Sequence, residues 1–391
     1  MLPRAVVVRL AFVTETYPPE LNGVAGTVAR AVDWLRARGH HVHLVRPRQT
    51  HEAPYDGTDE WRAPGFALPM YRALRVGLPS VGALRHRWLD LRPELVHVAT
   101  EGPLGWAACR AGRSLGLPVT SDLRTHFDLY SDYYGFGFMR GVVGAYLRRF
   151  HSATDLTFAP TAALAVELRA RFYGRVDVLG RGVDATRFAP FRRNEALRRA
   201  WGAGPEDPVV LHVGRLAAEK NLPLAMRAFS AIRAQAPRAV MVVIGEGPLR
   251  RSLERNAGLG VKFVGQLRGD ALAEHYASGD VFIFPSLTET FGNVTLEALA
   301  SGLVVVAFNL GAAGVHITHR VNGFVADGGN AEEFVQLACR AVAELPRLQV
   351  VRTLARQAAL ATSWDNVLSR FEERLMTLRN SAPLSQPAYA T

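Results

Sequence analysis

Short runs of β-branched and apolar residues alternate with amphipathic stretches along this chain, break once near the middle, and then resume. That rhythm constrains the fold more tightly than any other feature, because strand, helix and strand in succession signal a parallel sheet with crossover helices. In the first half the expected strands are Val6–Val13, His41–Arg46, Leu95–Ala99, Pro118–Ser121, Leu156–Ala159 and Val176–Leu179. The helices expected between them are Val24–Arg38, Gly105–Leu115, Met139–His151 and Ala162–Phe172. From Gly182 to Arg193 the chain is turn-rich and charged, and a short helical piece and Gly202–Pro208 follow. The second series has strands Val209–Val213, Ala239–Ile244, Val261–Val264, Val281–Phe284 and Val304–Phe308. Its helices cover Leu222–Gln235, Pro248–Asn256, Asp270–Ser278 and Val294–Ser301, and a last helix spans Trp364–Arg379.

With 391 residues the chain exceeds what one hydrophobic core usually supports. The expected fold class is therefore α/β, with two Rossmann-like, doubly wound domains facing a central cleft. Their expected bounds are 1–185 and 186–363, followed by a C-terminal helix over 364–380 placed to cross back to the first domain, and a loose tail, 381–391. Open parallel sheets bind ligands beyond the carboxyl ends of their strands, so the chemistry is expected in the loops after strands.

Composition narrows the class. Hydrophobic residues at 49% and charged residues at 21% suit a packed globular chain and exclude a disordered one. The two cysteines, Cys109 and Cys339, lie far apart and form no C-x-x-C, which speaks against a disulfide framework or a structural zinc site and suits a reducing compartment. The apolar run Ala5–Val13 is broken by Arg9 and lacks a cleavage-type segment, and no stretch reaches the roughly 18 uncharged apolar residues of a membrane span. A cytoplasmic location is expected, with any membrane contact peripheral and on the inner face. The net charge of +11 rests on arginine, since only Lys220 and Lys262 are lysines, and both halves are mildly basic. Phosphates and anionic lipid are plausible partners. Nucleic acid is not expected, because no aromatic stacking motif or recognition element accompanies the charge.

The strongest local signal is Glu289-Thr290-Phe291-Gly292-Asn293-Val294-Thr295-Leu296-Glu297, after a strand that ends in Pro285-Ser286. Gly292 lets the backbone approach a ligand, and the free N–H groups of a helix starting near Asn293 suit phosphate or sugar oxygens. Glu289 in the loop and Glu297 about one turn into the helix can meet different parts of one elongated polar ligand. Spacing alone leaves the plainer alternative equally open: a solvated loop acid and a helix-surface residue.

This segment resembles the donor-site motif of the retaining, GT-B-fold glycosyltransferases of family 4 (glycosyl transferases group 1). Other pieces fit in order: Asn22-Gly23-Val24, Gly180-Arg181-Gly182-Val183-Asp184, Val213-Gly214-Arg215-Leu216 with Glu219-Lys220-Asn221, Gly245-Glu246-Gly247-Pro248 and Phe263-Val264-Gly265. The resemblance covers roughly residues 10–330, and is nearest to GDP-mannose-dependent α-mannosyltransferases and the lipid-sugar synthases near them. It implies a hexosyltransferase that takes a sugar from a GDP- or UDP-sugar to an acceptor hydroxyl, with retention of configuration and with neither metal nor cofactor. It also implies residue roles. Arg215 and Lys220 neutralise the donor diphosphate, and Glu297 accepts from the ribose hydroxyls. Glu289 stands beside the donor sugar, with the backbone of Phe291, Gly292 and Asn293 on sugar and phosphate. Gly23 approaches the diphosphate from the first domain, while Gly245 and Leu267 shape the base pocket.

One departure stands out. Where many relatives carry a His near the reacting sugar, alignment through Tyr133-Tyr134-Gly135 puts Arg124, and His126 and Asp128 follow. Arginine cannot act as a base at neutral pH but can hold a phosphate or a sugar hydroxyl. All three stay candidates for the catalytic role. Glu101, after the fourth strand, either binds the acceptor or caps the helix from Pro103.

Two stretches bear on partners. Trp61–Leu89 holds Arg62, Arg72, Arg75, Arg85 and Arg87 among Trp61, Phe66, Tyr71 and Trp88, with no acid. Phe138–His151 interleaves aromatic and apolar residues with Arg140, Arg148 and Arg149. Such faces either dock on anionic lipid or bury the apolar side and leave the arginines in water. They tilt the expected acceptor toward a lipid-linked sugar or a glycan. Two rival classes are a sugar-nucleotide epimerase of the same fold and a nucleotide-sugar-binding protein without transfer activity. A nicotinamide dehydrogenase is excluded, because Gly23-Val24-Ala25-Gly26 lacks the G-x-G-x-x-G spacing.

Overall fold

A computed structural model describes residues 7–20, 23–68, 71–78, 80–124, 140–171 and 173–381. Its contacts divide the chain into two units. One runs to Gly180 and takes the chain up again at Leu368, and the other spans Arg181–Val367.

The first unit is built on a seven-stranded, wholly parallel sheet. Its strands are β1 (Arg9–Val13), β2 (His41–Pro47), β3 (Glu60–Ala63), β6 (Leu95–Val98), β7 (Val119–Asp122), β8 (Leu156–Ala159) and β9 (Val176–Val178), in spatial order β3-β2-β1-β6-β7-β8-β9. β4 (Gly65–Leu68) and β5 (Tyr71–Gly77) form a separate antiparallel hairpin. Every expected strand of this half is present, with ends shifted by a few residues: Asp122, expected in the loop, closes β7. The charged strand β3 and the hairpin lie outside the expected set. On one face Ala11, Val13, Val45, Val96, Val98 and Val119 pack with Trp61, Trp88 and the helix Pro103–Ser114.

The second unit holds six parallel strands, β10 (Val209–Val213), β11 (Val240–Ile244), β12 (Val261–Gly265), β13 (Val281–Phe284), β14 (Val304–Phe308) and β15 (Phe324–Ala326). Their order is β12-β11-β10-β13-β14-β15, the 3-2-1-4-5-6 sequence of a doubly wound sheet. Both faces are covered over β11, β13 and β14, which is why those strands read as continuous apolar runs. Val209, Leu211 and Val213 face a layer that includes Leu296, Leu299, Ala355 and Ala359. Val210 faces the opposite layer, with Phe229, Ile232, Phe334 and Ala338. The helix Ala331–Ala343, not among the expected ones, carries a capping signal in plain view: Asn330 Oδ1 accepts from the Glu333 amide at 3.1 Å.

The C-terminal helix Trp364–Ser381 is part of the first unit from Leu368 onward. Glu372 bonds the His40 ring (3.2 Å) and Arg38 (3.1 Å), Arg374 meets Asp177 (2.8 Å), and Arg379 pairs with Glu94. No helix among the described residues is long and apolar enough to cross a membrane.

Candidate functional site

In each sheet the strand order reverses beside its first strand, and the loops leaving the two strands on either side of that point diverge there. In the second unit those strands are β10 and β13. Their loops hold Arg215, Lys220 and Glu289, so three sequence-predicted residues fall where an open α/β sheet presents a ligand site.

The two loops are tied together. The Leu287 amide donates to Glu219 O at 2.9 Å, and Ser286 Oγ lies 3.1 Å from Thr288 O and 3.3 Å from Glu219 O. Lys220 Nζ forms an ion pair with Glu289 Oε1, reaches Ser286 Oγ at 3.4 Å, and sits 5.5 Å from the centre of the Phe284 ring. Both side chains of the pair are only 11% exposed, so the charges meet in a largely dry setting. Beneath them His212 is fully buried and gives its Nδ1 proton to Ile283 O at 3.1 Å. Burial, aided by the Lys220 charge, pushes this imidazole down to about 4, which keeps it neutral at physiological pH. Arg215 is exposed.

Beyond Glu289 the backbone turns sharply. Gly292 has φ +87°, a left-handed conformation, and a Cβ there would lie 3.2 Å from Glu289 Oε2. It caps the helix Asn293–Ala300 with no side-chain hydrogen bond; its own carbonyl accepts from the Thr295 amide at 3.1 Å, while no side chain caps the Asn293 and Val294 amides. Phe291 is buried in the core, and Asn293 is half-buried. Glu297, partly exposed, is bonded by Tyr276, whose hydroxyl also lies 3.3 Å from Val294 O. Burial pushes the Glu297 carboxyl up to about 7.

The residues read as a base pocket have packing work of their own. Gly245 has φ +144°, and a Cβ there would come within 1.9 Å of Gly214 O, so the loops after β10 and β11 touch backbone to backbone. Leu267 is partly buried against the core of the unit.

In the first unit, Gly23 is exposed and opens the helix Gly23–Ala37. His126 and Asp128 lie outside the described residues. Arg124, two residues past β7, is 7% exposed and pairs through Nη2 with Asp122 Oδ2. Glu101 does not cap the helix Pro103–Ser114. It is buried with Oε1 3.4 Å from His151 Nε2, whose Nδ1 meets Ser121 Oγ at 2.9 Å. The cap is supplied instead by Glu15, which the sequence did not single out. Its Oε1 accepts from the Leu104 amide (2.8 Å) and its Oε2 from the Gly77 amide (2.6 Å). Burial pushes the Glu15 carboxyl up to about 7 against the lowering effect of those amides. Nothing in the sequence marks it beyond an acid in a loop after a strand, because its partners are backbone groups.

Of the two basic–aromatic stretches, the first is largely used internally: Trp61 and Trp88 are buried, and Arg87 lies 3.9 Å over the Trp61 ring while pairing with Asp56. The second forms the helix Arg140–His151, which buries Leu147 and Phe150 and exposes Val142, Tyr146, Arg148 and Arg149. Among the described residues no group of three or more His, Cys, Asp or Glu side chains is placed to hold a metal ion.

Comparison with known proteins adds to this geometry. Residues 207–344 match the family described as glycosyl transferases group 1, and residues 21–187 match glycosyltransferase family 4. The GDP-mannose-dependent alpha-mannosyltransferase of Mycolicibacterium smegmatis is 34% identical over 377 residues, covering 93% of this chain and 97% of that one. The protein of the same name from Mycobacterium tuberculosis is 35% identical over 93% of this chain and 96% of its own. The sulfoquinovosyl transferase of Arabidopsis thaliana is 29% identical over 91% of this chain and 71% of its own. Among solved structures, the sucrose-phosphate synthase of Thermosynechococcus elongatus superimposes with a TM-score of 0.75 at 17% identity, covering 95% of this chain and 99% of that one. Anabaena HepE, solved with UDP and glucose, gives 0.71 at 19% identity, covering 95% and 100%. At these identities the solved structures establish the fold, GT-B.

Proposed function

This chain belongs to glycosyltransferase family 4, the glycosyl transferases group 1, and from that premise we propose that it transfers mannose or a related hexose from GDP- or UDP-sugar to an acceptor hydroxyl with retention of configuration. The observation that carries the reading is the Lys220–Glu289 pair, which joins the loops after β10 and β13 where the strand order reverses. A cation held there neutralises charge on a departing nucleoside diphosphate, which is the largest electrostatic demand of the reaction. Arg215, on the same loop as Lys220, is the second cation. The open amides at Asn293 and Val294 serve phosphate or sugar oxygens, and Glu289 lies beside them to accept from the donor sugar's hydroxyls. Glu297 accepts from the ribose once ionised.

In the first unit, Arg124, His126 and Asp128 are the groups assigned to the reacting end, Gly23 to the diphosphate and Glu101 to the acceptor. The acceptor is a lipid-linked sugar or a glycan, and the exposed Val142, Tyr146, Arg148 and Arg149 form the face through which the protein meets anionic lipid.

The test is release of nucleoside diphosphate from GDP-mannose and from UDP-glucose by the purified protein, with and without acceptor, beside Lys220→Ala. Acceptor-dependent release that Lys220→Ala abolishes supports the assignment. Release that survives the substitution, or none from either donor, overturns it. Sedimentation with anionic but not neutral liposomes at low salt is expected, and its failure removes the membrane contact alone.

A further inference from the structure

Arg124 is a described site residue whose buried charge is only partly answered by its surroundings. Its guanidinium is buried, with 7% of the residue exposed, at the carboxyl end of β7. A guanidinium offers five N–H donors in a rigid fork. Asp122 Oδ2 engages Nη2, while Nε and Nη1 are buried without a hydrogen-bond partner. The same carboxylate oxygen is shared, since His97 Nε2 lies 3.4 Å from it and the other ring nitrogen of His97 is anchored by Thr120 Oγ1 at 2.8 Å. Asp122 therefore has a fixed imidazole near it on one side and holds the arginine on the other.

Buried N–H donors of a charged group are rarely left unmade, because leaving them so costs more than a neutral orphan does. Two unpaired donor nitrogens on one fixed cation, flanking the nitrogen that Asp122 holds, leave donors for an oxygen-bearing anion, which guanidinium binds with shorter and stronger hydrogen bonds than it makes to neutral acceptors. We propose that Arg124, positioned by Asp122 and His97, is an oxyanion receptor of the first unit that binds a phosphate or carboxylate oxygen of a substrate. The inference rests on the transferase reading for the identity of that substrate: the anion is either the diphosphate of the donor or a charged group on the acceptor. Asp122 touches no substrate in this account and acts only through Arg124.

Calorimetric titration of the full chain with GDP and, separately, with glycerol 3-phosphate tests it. Arg124→Gln is expected to weaken one of the two at least tenfold and to leave the other within twofold. Loss for GDP assigns the anion to the donor, and loss for glycerol 3-phosphate assigns it to the acceptor. Arg124→Lys, which keeps the charge beside Asp122 but loses the fork, is expected to recover part of that affinity, and Asp122→Asn to lose affinity for the same ligand and no other. A general structural defect would lower both ligands together and would not be rescued by lysine. Should Arg124→Gln fail to fold, Arg124→Lys against the native chain carries the comparison, with a three- to tenfold loss for one ligand expected. Affinities for both ligands within twofold of the native chain overturn the proposal. Failure of the transferase reading is separate: it is seen in the native chain, as absence of nucleotide binding and release, before any variant is made.

Discussion

Removing either partner of the Lys220–Glu289 pair should destabilise the second unit by much more than removing both. Each side chain is about nine-tenths buried, so neither charge is well served by water once the other is gone. Breaking a buried pair from one side typically costs about 3–5 kcal/mol, whereas replacing both charges with apolar groups of similar volume is close to neutral. The residual contact of Lys220 with Ser286 Oγ at 3.4 Å is long and places the expected loss at the lower end, about 3 kcal/mol. For a unit of this size, 1 kcal/mol corresponds to roughly 2–4 °C in Tm, so each single substitution to Met should lower the transition by about 6–12 °C.

The double variant Lys220→Met/Glu289→Met should lie within about 1 kcal/mol of the native chain, giving a coupling of about 5 kcal/mol in the cycle, larger than is usual for contacting residues because each single variant strands a buried charge. Scanning calorimetry measures all four proteins. Repeating the scans with GDP at about 100-fold over its Kd separates the two roles of Lys220, because binding to the folded state alone adds about 2.7 kcal/mol to the native chain. The lysine variants should lose that increment, the double variant included, despite its restored stability. Single variants that melt within 2 °C of the native chain, or a double variant whose loss is the sum of the singles, would refute the ion-pair argument. A full GDP increment in the double variant would refute the diphosphate role.

Other outcomes follow from the geometry. Because burial raises Glu297 to about 7, the carboxylate that ribose hydroxyls require forms only as pH rises through 7; GDP affinity should increase between pH 6 and 8, and Glu297→Gln should flatten the profile. For stability the sign is opposite: the folded value lies above the unfolded 4.5, so the stabilising effect of this group is complete below 4.5 and is lost as pH rises through 7, a slope that Glu297→Gln removes from the melting curves. Glu15, also raised to about 7, should impose the same direction over the same window on the first unit, and Glu15→Ala, which orphans the Gly77 and Leu104 amides, should cost about 2–4 kcal/mol in denaturant titrations. Gly245→Ala, with its Cβ 1.9 Å from Gly214 O, should leave little folded second unit by circular dichroism, whereas Gly39→Ala, with nothing within 4 Å, should cost only about 1 kcal/mol for its φ of +89°.

The strands of the second unit were legible because both faces of its sheet are covered: Val281–Phe284 and Val304–Phe308 are unbroken apolar runs, Val209–Val213 is interrupted only by the buried His212, and the structure keeps those bounds. β3 escaped because it is an edge strand, Glu60-Trp61-Arg62-Ala63, in which alternate residues are polar, and β15 because three residues carry no period. Candidate site residues could be named from the sequence where the motif fixed their type and order. What they do to one another was not, because Lys220 and Glu289 are 69 positions apart and meet only through the crossing of two loops. Nor does the sequence reveal that Arg124 is buried, since arginine is usually exposed. For Glu101 the rule that acids favour helix starts pointed at the wrong carboxylate; Glu15, 89 positions from the amide it caps, took the place.

The two strand reversals place charge differently, and the difference bears on which unit meets which substrate. Beside β1 and β6 stand three acids: Glu15 turned onto backbone amides, Glu101 toward a buried histidine, and Glu20 onto the Thr16 hydroxyl and the Gln49 side-chain amide. Beside β10 and β13 stand two cations, Arg215 and Lys220, and two acids, Glu219 and Glu289, and the neutral His212 below adds no charge of its own. A nucleoside diphosphate brings two or three negative charges that must lose much of their water, and of the two arrangements only the second places cations in the loops at the point where the fold presents ligands. The first unit meets that charge balance only through Arg124, where two donors remain unmade. On electrostatic grounds we therefore propose donor binding for the second unit, with Arg124 as a buried anion-seeking group among the first unit's described site residues.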